Sequence, residues 1–291
     1  MRDHAKLFYI LAMSIFGTIG IFRRYIPLPS SVLALARGTI GTVFLLCLLL
    51  VIKRQHLSRE SIGRNFKFLV ISGALIGFNW ILLFEAYQYT TVATATLCYY
   101  MAPVLVIMAS PFFFREKLTP LKAVCVTVAL VGMVFVSGIL QSGFGGMQEL
   151  RGVLLGLSAA LLYAIVVILN KFIHQISAYD KTIMQLGTAA LVVLPYTLLT
   201  EDLTAITFTP FALIMLLVVG IVHTGIAYAL YFGSMDGLNA QTIALFSYID
   251  PVVAILLSAL LLQENIGLWG AMGAVLILGS TLASELLDER L

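Results

Sequence analysis

One stretch of this chain, residues 94–116, occurs twice, and that repetition limits the possible folds more than any other feature. The first copy reads TATLCYYMAPVLVIMASPFFFRE, and the second, 242–264, reads TIALFSYIDPVVAILLSALLLQE without a gap. Eight of the 23 positions are identical: Thr94, Leu97, Tyr100, Pro103, Val104, Ile107, Ser110 and Glu116 recur as Thr242, Leu245, Tyr248, Pro251, Val252, Ile255, Ser258 and Glu264. Roughly two identities would be expected from apolar composition alone. Most fall three or four residues apart, so they lie along one face of a helix. A helix repeated at an offset of 148 with one face preserved points to two halves built alike, 1–148 and 149–291.

Both copies are too apolar for water. Hydrophobic residues make up 61% of the chain and charged residues 11%, with a mean hydropathy of +1.04, whereas a soluble domain carries roughly 25% charged residues. A bilayer-crossing helix takes about 20 apolar residues. Ten stretches qualify: 7–26, 31–52, 66–87, 92–114, 121–139, 153–173, 182–199, 210–232, 240–262 and 268–286. Helices satisfy their own backbone polar groups in lipid, and no stretch alternates as a barrel strand would. The expected fold class is therefore an all-α polytopic membrane protein of ten transmembrane helices. No connection is long enough for a soluble domain.

Five spans per half is an odd number, so the halves must insert in opposite directions. With the N-terminus in the cytoplasm, thirteen Lys and Arg fall on the cytoplasmic side, among them Lys53, Arg54, Lys117 and Lys181. Only Arg23, Arg24 and Arg151 fall on the far side, and Arg37 lies within a span. That bias fits positive-inside insertion. It places both termini in the cytoplasm of a multi-pass protein of the plasma (cell) membrane. Two inverted five-helix repeats are the build of many secondary transporters, whose site lies near the midplane where the halves meet.

Other classes lack their residues. Cys47, Cys98 and Cys125 sit in apolar segments, with no CxxC and no Cys/His pair at metal spacing. No cofactor or metal site is expected. The first apolar segment lacks a small-x-small cleavage pattern and reads as an uncleaved span. There is no GxSxG or HExxH, so an intramembrane enzyme finds no nucleophile or zinc site. There is no GxxxxGK[ST] loop for ATP, so a gradient must supply the energy. Nothing points to nucleic acid; the expected partners are the lipid bilayer, a small-molecule substrate and a coupling ion, proton or sodium.

The pattern resembles the EamA-type family of the drug/metabolite transporter superfamily. The resemblance rests on Phe16-Gly17 with Arg24, then Pro103, Glu116 and Gly132, matched by Tyr163-Ala164 with Lys171, then Pro251, Glu264 and Gly279. Phe-Gly and Tyr-Ala replace the Trp-Gly usual in the family. The resemblance covers nearly the whole chain and implies ten helices around a central cavity, with export of metabolites or drugs a frequent activity.

Residues matched between halves are expected to build the frame. Substrates lack two-fold symmetry, so unmatched polar residues are the better site candidates. Asp250, opposite Ala102, lies mid-span before Pro251, where a lone carboxylate must pair, protonate or touch water. It is expected to bind an ammonium or couple a proton; a fixed ion pair with Arg37 is the alternative. Arg37 suits a substrate carboxylate. His223, mid-span, is a second coupling candidate or a packed core histidine. Asn79 and Trp80 in the third span, with Tyr99, Tyr100, Tyr163, Tyr228, Tyr231 and Tyr248, are expected to line an aromatic cavity for a cationic or zwitterionic substrate. Pro103 and Pro251 each remove a backbone hydrogen bond and should kink their helices. Glu116 and Glu264 are expected to hold loop turns. The expected function is alternating-access transport of an amino acid or amine-like solute, with a passive facilitator or a multidrug or other-metabolite exporter of the same fold as the alternatives.

Overall fold

Short polar caps fix where the apolar runs become helices. Ser58, Thr91, Ser177 and Thr209 each stand in extended backbone just before a helix. Each accepts, through its hydroxyl, the amide of the third residue on, which satisfies a donor the helix start leaves free. Pro210 follows Thr209 at a first-turn position where a missing N–H costs nothing.

The computed structural model describes residues 2–114, 119–136, 146–235, 238 and 246–288. Glu116, Asp236, Thr242 and Leu245 lie outside the described residues. The helices are α1 (Arg2–Gly17), α2 (Ile19–Tyr25), α3 (Ser30–Cys47), α4 (Arg59–Tyr89), α5 (Val92–Tyr99), α6 (Ala102–Phe114) and α7 (Pro120–Val136). They continue with α8 (Met147–Asn170), α9 (Ala178–Thr200), α10 (Pro210–Val218), α11 (Ala227–Met235), α12 (Ile249–Leu261) and α13 (Gly267–Asp288). Wider π-helical turns extend α3 over Leu48–Ile52 and join α10 to α11 over Val219–Ile226. No strand occurs among the described residues.

Seven helical stretches are long and apolar enough to cross a membrane: His4–Tyr25, Ser30–Ile52, Arg59–Tyr89, Val92–Phe113, Met147–Asn170, Ala178–Thr200 and Pro210–Ser234. Shorter apolar helices, Pro120–Val136, Ile249–Leu261 and Gly267–Ala283, stand where the fifth, ninth and tenth spans were expected. The protein is thus an all-helical, multi-pass membrane protein. The first stretch is not one smooth helix but breaks at Thr18, and the fourth breaks at Tyr100 and Met101.

Lipid gives helices little hydrophobic reason to associate, so close packing of small residues does that work. The helices of the two halves interleave: α4 packs on α8 and α9, α7 on α13, and α1 on α11 and α12. Glycine permits the closest of these approaches. A Cβ on Gly73 would lie 2.7 Å from the Gln185 carbonyl oxygen, and one on Gly17 would lie 2.5 Å from that of Asp250. Beside Gly73 the α4–α9 seam carries a polar clasp in which the Gln185 amide donates to Ser72 Oγ and Asn170 Oδ1, each at 2.7 Å.

Candidate functional site

Three interrupted helices converge on the middle of the molecule. In the fourth stretch the break falls directly before Pro103, whose ring clashes with the carbonyl four residues back and offers no N–H. Tyr100 ends α5 there with φ −71° and ψ 2°. Tyr248, three residues before Pro251, stands before α12 with φ −72° and ψ −8°. Asp250 therefore sits in the first turn of α12. The break in the first stretch places Gly17 against the backbone of Asp250, close enough that only a residue without Cβ fits.

The Asp250 carboxyl lies among hydroxyls. Tyr100 Oη lies 3.4 Å from the Ser247 carbonyl oxygen and also faces the Asp250 carboxyl. The Asp250 charge further reaches Tyr87, Tyr99, Tyr163 and Tyr228. It reaches Arg37 too, yet no ion pair forms between them. The fixed Arg37–Asp250 pair considered from the sequence is therefore not what the structure holds.

Arg37, 6% exposed, is held from its sides. Its guanidinium carbon lies 4.4 Å from the Trp80 ring centre and 5.9 Å from that of Phe84. Its Nε donates to Thr224 Oγ1 at 3.0 Å. Neither terminal nitrogen has a hydrogen-bond partner among the described residues. A guanidinium stacked and pinned through Nε presents those nitrogens to an incoming carboxylate in the geometry bidentate pairing requires.

His223 occupies the π-helical segment and is 1% exposed. Its Nε2 lies 2.7 Å from Thr18 Oγ1, at the break between α1 and α2. The Thr18 hydroxyl donates to the Ile15 carbonyl at 2.7 Å. One hydroxyl hydrogen cannot serve both, so Nε2 carries the proton and donates to Thr18. Nδ1 is then a buried lone pair with no hydrogen-bond partner. The Val218 backbone carbonyl beside the ring becomes a partner when a second proton arrives at Nδ1. The Phe22 ring packs edge-on, its centre 4.6 Å away.

The remaining expected residues divide by position. Asn79 is buried, donating to the Ala159 carbonyl at 2.6 Å and accepting from Tyr99 Oη at 3.5 Å, so it ties α4 to α8 and aims Tyr99. The Trp80 face is occupied by Arg37. Tyr99 and Tyr163 rings meet at 5.4 Å. Tyr228 stacks on Phe232 at 5.8 Å, Phe232 meets Tyr179 at 6.2 Å, and Lys53 Nζ lies 3.9 Å from the Tyr179 ring centre. Aromatic rings thus run from Asp250's surroundings to the Lys53 end of the helices. Tyr248 is buried at its break. Among the described residues no group of His, Cys, Asp and Glu could hold a metal. Glu85 accepts from Ser30 Oγ at 2.7 Å, near Arg23.

Sequence reasoning missed Tyr87, Thr18 and Thr224. Tyr87 ends the third apolar run, where a tyrosine ordinarily marks the interface. The two threonines are 206 positions apart in numbering, and only the folded packing brings their partners His223 and Arg37 onto neighbouring turns.

A polytopic helical protein whose charged side chains meet among aromatic rings in its middle has the build of a membrane solute carrier. The chain belongs to the EamA-like transporter family, which it matches over residues 5–138 and again over 150–284. It is 32% identical over 285 residues to "Uncharacterized transporter YxxF" of Bacillus subtilis strain 168, covering 95% of this chain and 88% of that protein. It is 26% identical over 186 residues to "Aromatic amino acid exporter YddG" of Ancylobacter novellus, covering 64% of this chain and 63% of the exporter. A solved crystal structure 22% identical to it aligns over all of both chains with a TM-score of 0.69 and bears on the fold alone. The protein is a transporter of this type, and its named relatives are transporters rather than enzymes.

Proposed function

We propose that this chain is a secondary transporter of the plasma membrane that exports a small amino acid or amine by alternating access. In this reading it has ten spans in two inverted repeats, 1–148 and 149–291, with both termini cytoplasmic. The two separate family matches, one in each half, support that division, and the lysine and arginine bias supports the orientation.

One observation carries the substrate class. Asp250 and Arg37 share one electrostatic neighbourhood without pairing with each other. An unpaired carboxylate and an unpaired guanidinium side by side match the ammonium and carboxylate of a zwitterion. The rings of Tyr99, Tyr163 and Tyr228 can face the ammonium or an aromatic side chain. The similarity to an aromatic amino acid exporter agrees with that choice. Asp250 and His223 are the coupling groups, since an ammonium displaces a proton at Asp250 and Nδ1 of His223 can accept one.

The test is a thermal-shift screen of the purified protein against amino acids and amines, followed by counterflow in proteoliposomes. A ligand that binds only the folded protein raises its apparent stability. Asp250→Asn should fold, lose the shift and lose counterflow. Full counterflow in that variant would refute the site. Counterflow that ignores an imposed pH gradient would make the protein a passive facilitator instead.

A further inference from the structure

Glu264 fastens the two repeats together at one end of the site. Its Oε1 accepts from Arg24 Nη2 at 2.9 Å, and its Oε2 accepts from the Val92 backbone N–H at 2.8 Å and from the Ser258 hydroxyl. Arg24 Nη2 also donates to the Thr90 carbonyl at 2.6 Å. Arg24 ends α2, Thr90 and Val92 form the turn into α5, and Ser258 lies in the last turn of α12. One carboxylate from the second repeat therefore ties two helices of the first to the α12–α13 turn.

Among the described residues this is the only ion pair between the repeats; the other, Arg64–Glu60, stays within α4. A second carboxylate of the same repeat, Glu201, accepts from Ser31 Oγ at 2.6 Å beside the α2–α3 turn. The ties at the Lys53 end are of another kind. There Asn65 Nδ2 donates to the His174 carbonyl at 2.8 Å, and Lys53 rests on Tyr179.

The placement links the ion pair to the site. Helix α5 begins at the Glu264 bridge and ends at Tyr99, while α12 begins beside Asp250 and ends just before Glu264. These two helices are packed together, so parting them above the substrate strains the bridge. Side-chain exposures of 29% for Arg24 and 13% for Glu264 leave water a way in. Water can then replace the lost partners, which a fully buried pair would not allow.

We propose that the Arg24–Glu264 ion pair is a gate of the transport cycle. Intact, it closes the site at the Arg24 end; broken, it lets the site open there. The proposal rests on the transporter reading above.

The test measures the distance across the gate. Spin labels at Tyr25→Cys and Leu268→Cys, both exposed positions, are introduced with Cys47→Ser to remove the exposed native thiol. Electron–electron resonance then reports short and long populations. Arg24→Gln and Glu264→Gln should each move the ratio about tenfold toward the long population. Folded variants with an unchanged ratio would overturn the gate. Should both variants fail to fold, raising salt from about 0.05 to about 1 M on the labelled protein with native Arg24 and Glu264 decides the matter, because salt weakens a water-accessible pair. Growth of the long population supports the gate, and a distribution indifferent to salt overturns it. Counterflow of the unlabelled protein is read separately: its absence for every amino acid and amine would refute the transporter reading, whatever the distances show.

Discussion

Tyr100 and Tyr248 lie 148 positions apart and take almost the same backbone conformation, φ −71°, ψ 2° and φ −72°, ψ −8°. Each stands three residues before a proline at the interruption of its helix. Both repeats carry the interruption, but only the second places a carboxylate in it. Shared backbone with unshared charge is how a two-fold frame comes to hold an asymmetric solute.

The interruption should matter for turnover more than for folding. Pro251→Ala restores an N–H and removes the ring's clash with the preceding turn. We expect the variant to remain folded, with a substrate Kd within about threefold and an initial counterflow rate lowered about tenfold, or about 1.4 kcal/mol on the barrier. Stopped-flow or filter-based counterflow in proteoliposomes provides the measurement.

Arg37→Lys should separate two classes of substrate. Lysine keeps the charge but loses the planar stack on Trp80 and the fork that grips a carboxylate. Zwitterionic ligands should bind roughly tenfold more weakly, while amines without a carboxylate should be little affected. Isothermal titration of matched pairs, such as an amino acid and its decarboxylated amine, reads the difference. Equal losses for both would remove Arg37 from carboxylate recognition.

His223→Gln retains a donor for Thr18 but offers no lone pair for a second proton. Counterflow should persist in this variant, and accumulation driven by an imposed pH gradient should disappear. Undiminished gradient-driven accumulation would leave His223 as a packed core residue, tied to Thr18 for shape alone.

Two glycines on one helix should respond in opposite ways. Nothing lies within 4 Å of a Cβ on Gly63, so Gly63→Ala should stabilise by up to about 1 kcal/mol through helix propensity. Gly73→Ala meets the Gln185 backbone and should destabilise by about 1–3 kcal/mol, because backbone cannot step aside as a flexible side chain would. Thermal unfolding in detergent, monitored by tryptophan fluorescence, should show the two midpoints moving apart.

The membrane class and the positions of the helix interruptions were legible in the chain because both are local. Apolar run length announces a span, and Pro103 and Pro251 announce the breaks beside them. Asp250 stood out because its repeat partner is Ala102. Contacts between distant positions left no such trace. Glu264, expected to hold a loop turn, also reaches Arg24 across 240 residues, and no spacing rule spans that distance. Asn79 and Trp80 were expected at the substrate; the structure shows their polar groups and faces already engaged by Ala159, Tyr99 and Arg37. A polar residue in a span announces that it needs a partner, not which partner it finds.

The wide turns over Val219–Ile226 have a consequence for every residue after them. An α-helix turns by about 100° per residue, so one residue too many would swing the far end of the helix through that angle. A π-helical stretch absorbs the surplus within its broader loops. Because of it, Thr224 can bond the Val219 carbonyl five residues back while Tyr228 and Tyr231 still point inward at Phe16. Removing a single residue from this segment would leave composition and hydropathy nearly untouched, yet it would rotate those two tyrosines toward the lipid and leave the middle of the protein without one of its walls.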